Sequence, residues 1–137
     1  MRVVMLAKGW TGYLDAGSRK LVERGVELLV VHPTTMPDTG FDPFRVDDYA
    51  QEYAWTNKPD VNSLAECVRA FDPDAVLMHG WEFEPYRKVL RSVPSQAVRV
   101  LVMDNIWYSA PRQWLGRLTH RAYLDPLFDA VMLPSDR

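Results

Sequence analysis

The sequence has little of what marks a secreted or membrane-spanning protein. Its one cysteine, Cys67, cannot form a disulfide within the chain, so nothing indicates an oxidising compartment. The first apolar run, Val3 to Ala7, is too short for the core of a signal peptide or for a membrane span. We therefore expect a cytoplasmic protein.

The sequence also lacks a strong net charge. Its 16 basic and 18 acidic residues give a net charge of −2, whereas a dedicated nucleic-acid-binding domain is usually strongly basic. We therefore expect no nucleic acid among the partners. The charge is uneven, with seven basic residues and one acidic residue in 85–123, and two basic and seven acidic in 33–66. This pattern fits an anionic partner on one side or two solvated faces equally well.

Motifs of several enzyme classes are missing. No Cys/His cluster has the spacing of a zinc site, so no metal site is expected, and there is no Gly-x-Ser-x-Gly nucleophile elbow. Gly9, Gly12 and Gly17 do not have the Gly-x-Gly-x-x-Gly spacing of a dinucleotide site. The second apolar run ends in His32 rather than in the acidic residue that holds an NAD ribose, which disfavours NAD binding.

What the sequence does have is an alternation of strand and helix patterns along 137 residues, the length of one domain. Continuous apolar runs are typical of parallel strands that helices cover on both faces. Strands are predicted near Arg2–Ala7, Val26–His32, Asp74–His79, Ala97–Met103 and Asp129–Leu133. The sequence thus predicts a three-layer α/β/α Rossmann-like domain with a mostly parallel sheet of about five strands.

Helix signals separate these strands. A first helix should end at Gly25, a second should begin at a cap formed by Asp60 or Asn62, and a short third surrounds Tyr86. A fourth begins at Pro111. The proline-rich stretch 33–59 is predicted to be irregular, pinned to the surface by aromatic side chains: Tyr49, Tyr53 and Trp55.

No helix pattern follows the last strand. One face of the sheet would then stay wet, so we expect residues 1–137 to be a single domain that forms the amino-terminal half of a longer two-domain protein. The alternative is a short domain whose bare face a partner covers.

Polar and aromatic residues follow the strands at their carboxyl ends, where open parallel sheets bind ligands. His79 and Asp104 are the candidate catalytic residues, since they offer a proton acceptor and a carboxylate for a sugar hydroxyl. Aromatic faces beside acids and amides suit a sugar or nucleoside. The candidate substrate-binding residues are Gly9, Trp10, Thr11, Gly12, Tyr13, Trp81, Glu82, Asn105 and Trp107.

The stretch 111–123 predicts a basic amphipathic helix. Such a helix either packs on the sheet or lies on the anionic inner face of a membrane, so peripheral membrane contact is one interpretation.

Three passages resemble the amino-terminal domain of retaining glycosyltransferases with two Rossmann-like domains, the GT-B type, and family 4 in particular. The first is a helix–Arg-Gly–strand passage, the second a Pro-Asp–apolar–His strand, and the third a strand before a further helix. They are Leu21–Leu28, Pro73–Gly80 and Phe128–Ser135, and the resemblance extends over the whole chain.

The resemblance implies that two domains bind the two substrates separately. This domain would bind the acceptor, a sugar or a lipid or polyol, and would bind no cofactor itself. A second domain, absent here, would hold a nucleotide-sugar donor as co-substrate. The loop Gly9–Gly12 would face donor phosphate or acceptor, His79 would touch the reacting sugar, and Asp104 would position an acceptor hydroxyl.

The sequence also departs from that family. The Glu-x7-Glu donor motif does not occur in it, and Trp10 and Tyr13 are bulky where many members have small residues. The chain alone is therefore expected to be inactive.

Two alternatives remain open at this stage. In a flavodoxin-like electron carrier, Trp81 and either Trp107 or Tyr108 would enclose an FMN ring, with Thr11 and Gly12 near the phosphate. The second alternative is a non-catalytic domain that binds a small ligand or an anionic partner. A receiver domain is disfavoured, because Lys8 and His79 stand where its carboxylates are needed.

Overall fold

The computed structural model describes residues 1–34, 45–103, 122 and 124–133. Its strands are β1 (Arg2–Ala7), β2 (Glu27–Pro33), β3 (Gln51–Trp55), β4 (Ala75–His79), β5 (Val98–Val102) and β6 (Ala130–Met132). Its helices are α1 (Gly12–Glu23), α2 (Val61–Phe71) and α3 (Glu84–Leu90). The five predicted strands and the first three predicted helices are confirmed to within a residue or two at their ends.

All six strands form one parallel sheet in the order β3-β2-β1-β4-β5-β6. This is the Rossmann order, in which the chain moves outward from β1 to one edge and then returns to add strands on the other side. The predicted fold class, a Rossmann-like α/β domain, is confirmed. A flavodoxin-like domain has the order 2-1-3-4-5, so the electron-carrier alternative loses its structural basis.

The central strand β1 explains why the sheet forms three layers. Val3 and Met5 point to one face and pack with Leu14 of α1, while Val4 and Leu6 point to the other and pack with α2 and α3. Each face therefore removes apolar side chains from water, and each buried aliphatic side chain contributes roughly 1.5–3 kcal/mol to folding. An alternating sequence could not cover both faces in this way.

The one strand that the sequence analysis missed is β3. Residues 51–55 lie within the stretch 33–59 that was predicted to be irregular, and a short 3₁₀ helix, Val46–Asp48, precedes them. The strand begins with two exposed polar residues, Gln51 and Glu52, and pairs with β2 on one side only, as is usual for an edge strand. The prediction that aromatic residues pin this stretch is confirmed by hydrogen bonds from the Tyr49, Tyr53 and Trp55 side chains.

Two helix ends form as their residues predict. Gly25 has φ +81°, the left-handed conformation that follows α1, and Val26 N–H then returns to the Leu21 carbonyl. At α2, the Asp60 carboxylate accepts a 2.8 Å hydrogen bond from the Ser63 N–H and so caps the helix. The fourth predicted helix falls in 111–123, which lies outside the described residues except for Ala122.

Candidate functional site

The site is built at the point where β1 and β4 lie side by side. The chain leaves these two strands in opposite directions, which opens a crevice at their carboxyl ends. Ala7 pairs with His79 in the register, so the loop that begins at Lys8 faces the loop that begins at Gly80. The structure therefore brings together the candidates that follow the first and third predicted strands.

An ion pair joins the two loops. The Lys8 ammonium nitrogen lies 3.4 Å from Glu82 Oε1, and the two side chains are 55% and 56% exposed. Glu82 is a predicted site residue, whereas Lys8 is one that the sequence reasoning missed. The signal that could have found it is its position directly after the first strand, at the edge where parallel sheets bind ligands.

Gly80 allows Glu82 to lie where it does. Its φ of +76° is a conformation that only glycine adopts at little cost. A Cβ at this position would lie 2.9 Å from Glu82 Oε2, so any larger residue would push the carboxylate away. The Gly80 N–H also donates to the Val102 carbonyl at 3.3 Å, which links the loop to β5.

His79 is half-buried at the last position of β4, in the crevice itself. This location is the one expected of a residue that meets the substrate. Its catalytic role stays a prediction.

Trp10 lies in the core rather than on the open edge of the crevice. Its side chain is 1% exposed, and its ring centre lies 5.9 Å from that of buried His32. These surroundings favour a packing role for the indole, because a buried ring offers no face to a ligand. Substrate contact by Trp10 stays a prediction.

Beside Trp10, an acidic residue occupies the first turn of α1. Asp15 accepts hydrogen bonds from Arg19 Nε and from the Tyr49 hydroxyl, each at 2.8 Å. Burial raises the pKa of the Asp15 carboxyl, but the hydrogen bonds from Arg19 and Tyr49 together with the positive charge of Arg19 outweigh it and leave the pKa below its usual value. Burial and the adjacent carboxylate raise the pKa of Tyr49. The positive end of α1 thus already has a carboxylate, which disfavours a second anion there.

A buried hydroxyl fixes the wall behind the crevice. Tyr86 is fully buried, and its Oη donates to the carbonyls of Ala7 at 2.9 Å and Val31 at 3.4 Å while accepting from Trp55 Nε1 at 3.0 Å. Burial raises the pKa of Tyr86, so the hydroxyl stays protonated. One residue of α3 therefore holds the carboxyl ends of β1, β2 and β3 in place. Neither Tyr86 nor Trp55 was a predicted site residue.

The remaining candidates are placed as follows. Gly9 and Trp81 are half-buried, and Thr11, Gly12 and Tyr13 are exposed at the start of α1. Asp104, Asn105 and Trp107 lie outside the described residues, as does the proposed membrane-contact stretch 111–123 apart from Ala122.

The described part of the chain has neither a cluster of metal-ligating side chains nor a helix suited to span a membrane. Residues 1–34, 45–103, 122 and 124–133 contain no group of three or more His, Cys, Asp or Glu side chains that could hold a metal ion. None of the helices formed within these ranges has the length and apolar character to cross a membrane.

Among known proteins, no family model and no curated protein matches the sequence. Solved structures do match. One is an alpha-glucosyltransferase in complex with UDP and a 13-mer DNA containing an A:G mismatch, with 14% identity, a TM-score of 0.63 and a match over 99% of this chain. Another is an alpha-glucosyltransferase in complex with UDP-glucose and DNA containing an abasic site, with 16% identity, a TM-score of 0.62 and the same 99%.

The expectation that nucleic acid is excluded is wrong, because both of these fold neighbours were solved in complex with DNA. Net charge averages over a whole chain, whereas binding depends on where the charges lie. The chain spans 37% and 36% of the length of the two glucosyltransferase chains. It therefore has a glycosyltransferase-like Rossmann fold that corresponds to about a third of such a protein.

Proposed function

We propose that this chain is the acceptor-side domain of a retaining glycosyltransferase of the GT-B type, in which a second Rossmann-like domain holds a nucleotide-sugar donor. The observation that carries the proposal is the crevice between β1 and β4 in a fold that matches a third of two alpha-glucosyltransferases. Both the position of His79 and the resemblance of the three sequence passages support it.

A bare apolar surface supports the presence of a second domain. On the α1 side of the sheet, Val98 of β5 and Met132 of β6 are 47% and 49% exposed. Exposed apolar patches of this kind usually mark an interaction surface. We propose that further polypeptide covers it and supplies the donor site, so that the 137-residue chain alone is inactive.

The proposed chemistry needs no cofactor on this domain. Retention without a covalent nucleophile leaves His79 to contact the reacting sugar and Asp104 to position the acceptor hydroxyl. Gly9 then lines the acceptor side of the crevice. The donor we propose is a uridine diphosphate sugar, because one neighbour was solved with UDP-glucose and the other with UDP.

The transfer experiment has to identify the class of acceptor. DNA is the first acceptor to test, because both neighbours were solved with it. Sugars and polyols are the comparison acceptors.

The experiment is a transfer assay with radiolabelled UDP-glucose and this acceptor panel. A polypeptide that contains both this domain and its donor domain should transfer the labelled sugar to one class of acceptor. NMR should show an α-linkage in the product. The 137-residue chain should label none. Transfer with inversion would contradict retention, and no transfer from any UDP-sugar to any acceptor would contradict the proposed function.

A further inference from the structure

The Lys8–Glu82 pair differs from the other lysine–glutamate pairs of the described ranges. Lys20–Glu23 and Lys88–Glu84 join residues three and four positions apart on a single helix, where such pairs add a few tenths of a kcal/mol. Lys8 and Glu82 are separated by 74 positions and connect two loops across the crevice. Their contact is therefore set by the fold of the site rather than by local helix geometry.

A ligand could also replace Glu82 as the partner of Lys8 at little cost in free energy. It is long at 3.4 Å, and more than half of each side chain is exposed. Exposed pairs of this kind are worth about 0–1 kcal/mol because water competes for both charges. A phosphate group offers several oxygens to an ammonium group and forms stronger, charge-assisted hydrogen bonds.

The amino-terminal end of α1, where the helix dipole is positive, is a disfavoured binding site for an anion in this crevice. The Asp15 carboxylate already lies in its first turn and repels a second negative charge there. An anion that enters between β1 and β4 therefore needs a cation elsewhere. Lys8 lies at the carboxyl end of β1, where the crevice opens.

We propose that Lys8 is an anion-binding residue of the crevice and that Glu82 is a built-in counter-ion, which a phosphate-bearing ligand displaces. The left-handed Gly80 lets the Glu82 carboxylate fold back toward Lys8. The ligand class is a diphosphate, either free or as part of a nucleotide. Only the assignment of that diphosphate to a sugar donor rests on the proposed function.

The test is calorimetric titration of the 137-residue chain with inorganic pyrophosphate and, separately, with UDP. Lys8→Met should weaken pyrophosphate binding by about tenfold, since it removes a charge-assisted contact. Glu82→Gln should act in the opposite direction and tighten binding by about threefold, because it removes the competing carboxylate.

The matched controls are Lys20→Met and Glu23→Gln, which remove the same charges from a pair on α1. They should leave the pyrophosphate affinity within about twofold of the wild type, because charge effects at exposed sites are screened over about 10 Å. Circular dichroism verifies that all four variants are folded.

Three outcomes would overturn the inference: no pyrophosphate binding by the wild-type chain, equal weakening by Lys8→Met and Lys20→Met, or weaker binding by Glu82→Gln. A failure of the proposed function is distinguishable. In that case pyrophosphate binding by the 137-residue chain still depends on Lys8, but the joined polypeptide transfers no sugar from any UDP-sugar.

Discussion

The two halves of the sheet differ in how completely their side chains are buried. In the half formed by β1, β2 and β3, side chains on both faces of the central strand are buried, and the Tyr86 hydroxyl holds three strand ends together. In the half formed by β5 and β6, Leu101 is buried on one face, while Val98 and Met132 are exposed on the other. The first half is thus closed by elements of this chain, whereas the second presents an apolar surface. The crevice lies between them.

The comparison predicts a large difference in stability between equivalent truncations. Leu6→Ala in the closed half should lower the free energy of unfolding by about 2–5 kcal/mol, because Leu6 is fully buried. Met132→Ala in the open half should lower it by less than about 0.5 kcal/mol, because half of that side chain is already in water. Urea unfolding followed by circular dichroism measures both. Equal losses would show that β6 is covered in solution.

A second prediction concerns the hydroxyl that fixes the closed half. Tyr86→Phe should lower the free energy of unfolding by about 1–3 kcal/mol, because it leaves the Trp55 indole N–H and the Ala7 carbonyl without their partner. Tyr13→Phe is the matched control, since Tyr13 is 62% exposed and should tolerate the change. Thermal unfolding of both variants provides the measurement. An unchanged Tm for Tyr86→Phe would mean that the strand ends do not depend on this residue.

A third prediction addresses the crevice. In the complete polypeptide, His79→Ala and Asp104→Ala should each lower turnover by at least about tenfold while the protein stays folded, because positioned proton acceptors usually contribute at least that much. Asp125→Ala, at an exposed position outside the crevice, is the control. Near-wild-type rates in both site variants would place the chemistry elsewhere.

The smallest predicted effect is in the response to acid. Hydrogen bonds from arginine side chains and the charges of those arginines hold the pKa of the Asp15 and Asp129 carboxyls below the usual value of an aspartate. Each group therefore stabilises the fold above about pH 4, and that contribution is lost as the pH falls further. Asp15 is the more buried of the two, with 12% of its side chain exposed against 43% for Asp129.

Asp15→Asn should therefore reduce the loss of unfolding free energy between pH 6 and pH 3 more than Asp129→Asn does. Urea midpoints at pH 3, 4 and 6 test this. The reverse order would mean that the closed half is less protected from solvent than its burial indicates.

The closed half also shows where sequence reasoning succeeds and fails. Continuous apolar runs predict buried parallel strands because both faces must be covered, and among the residues that the structure describes this rule identifies each strand except β3. β3 has no such run, because it begins with Gln51 and Glu52 and follows several prolines, so nothing local distinguishes it from a loop. Without β3 the strand order would read as flavodoxin-like, so this one edge strand decides the fold type.

The sequence predicts where the site lies in the fold but not which of its side chains contact one another. The rule that ligands bind at the carboxyl ends of parallel strands led to His79 and Glu82. The Lys8–Glu82 pair depends on the register of β1 and β4, and the burial of Trp10 depends on how its loop folds back against His32. Neither is encoded in local spacing, because both bring together residues that are far apart in the sequence.

The most direct test of the account is a crystal structure of the complete polypeptide with a UDP-sugar bound. The account predicts a second Rossmann-like domain facing the carboxyl ends of β1 and β4, with the diphosphate between the two domains and within hydrogen-bonding distance of Lys8. A nucleotide bound away from this crevice, or a polypeptide without a second Rossmann-like domain, would contradict it.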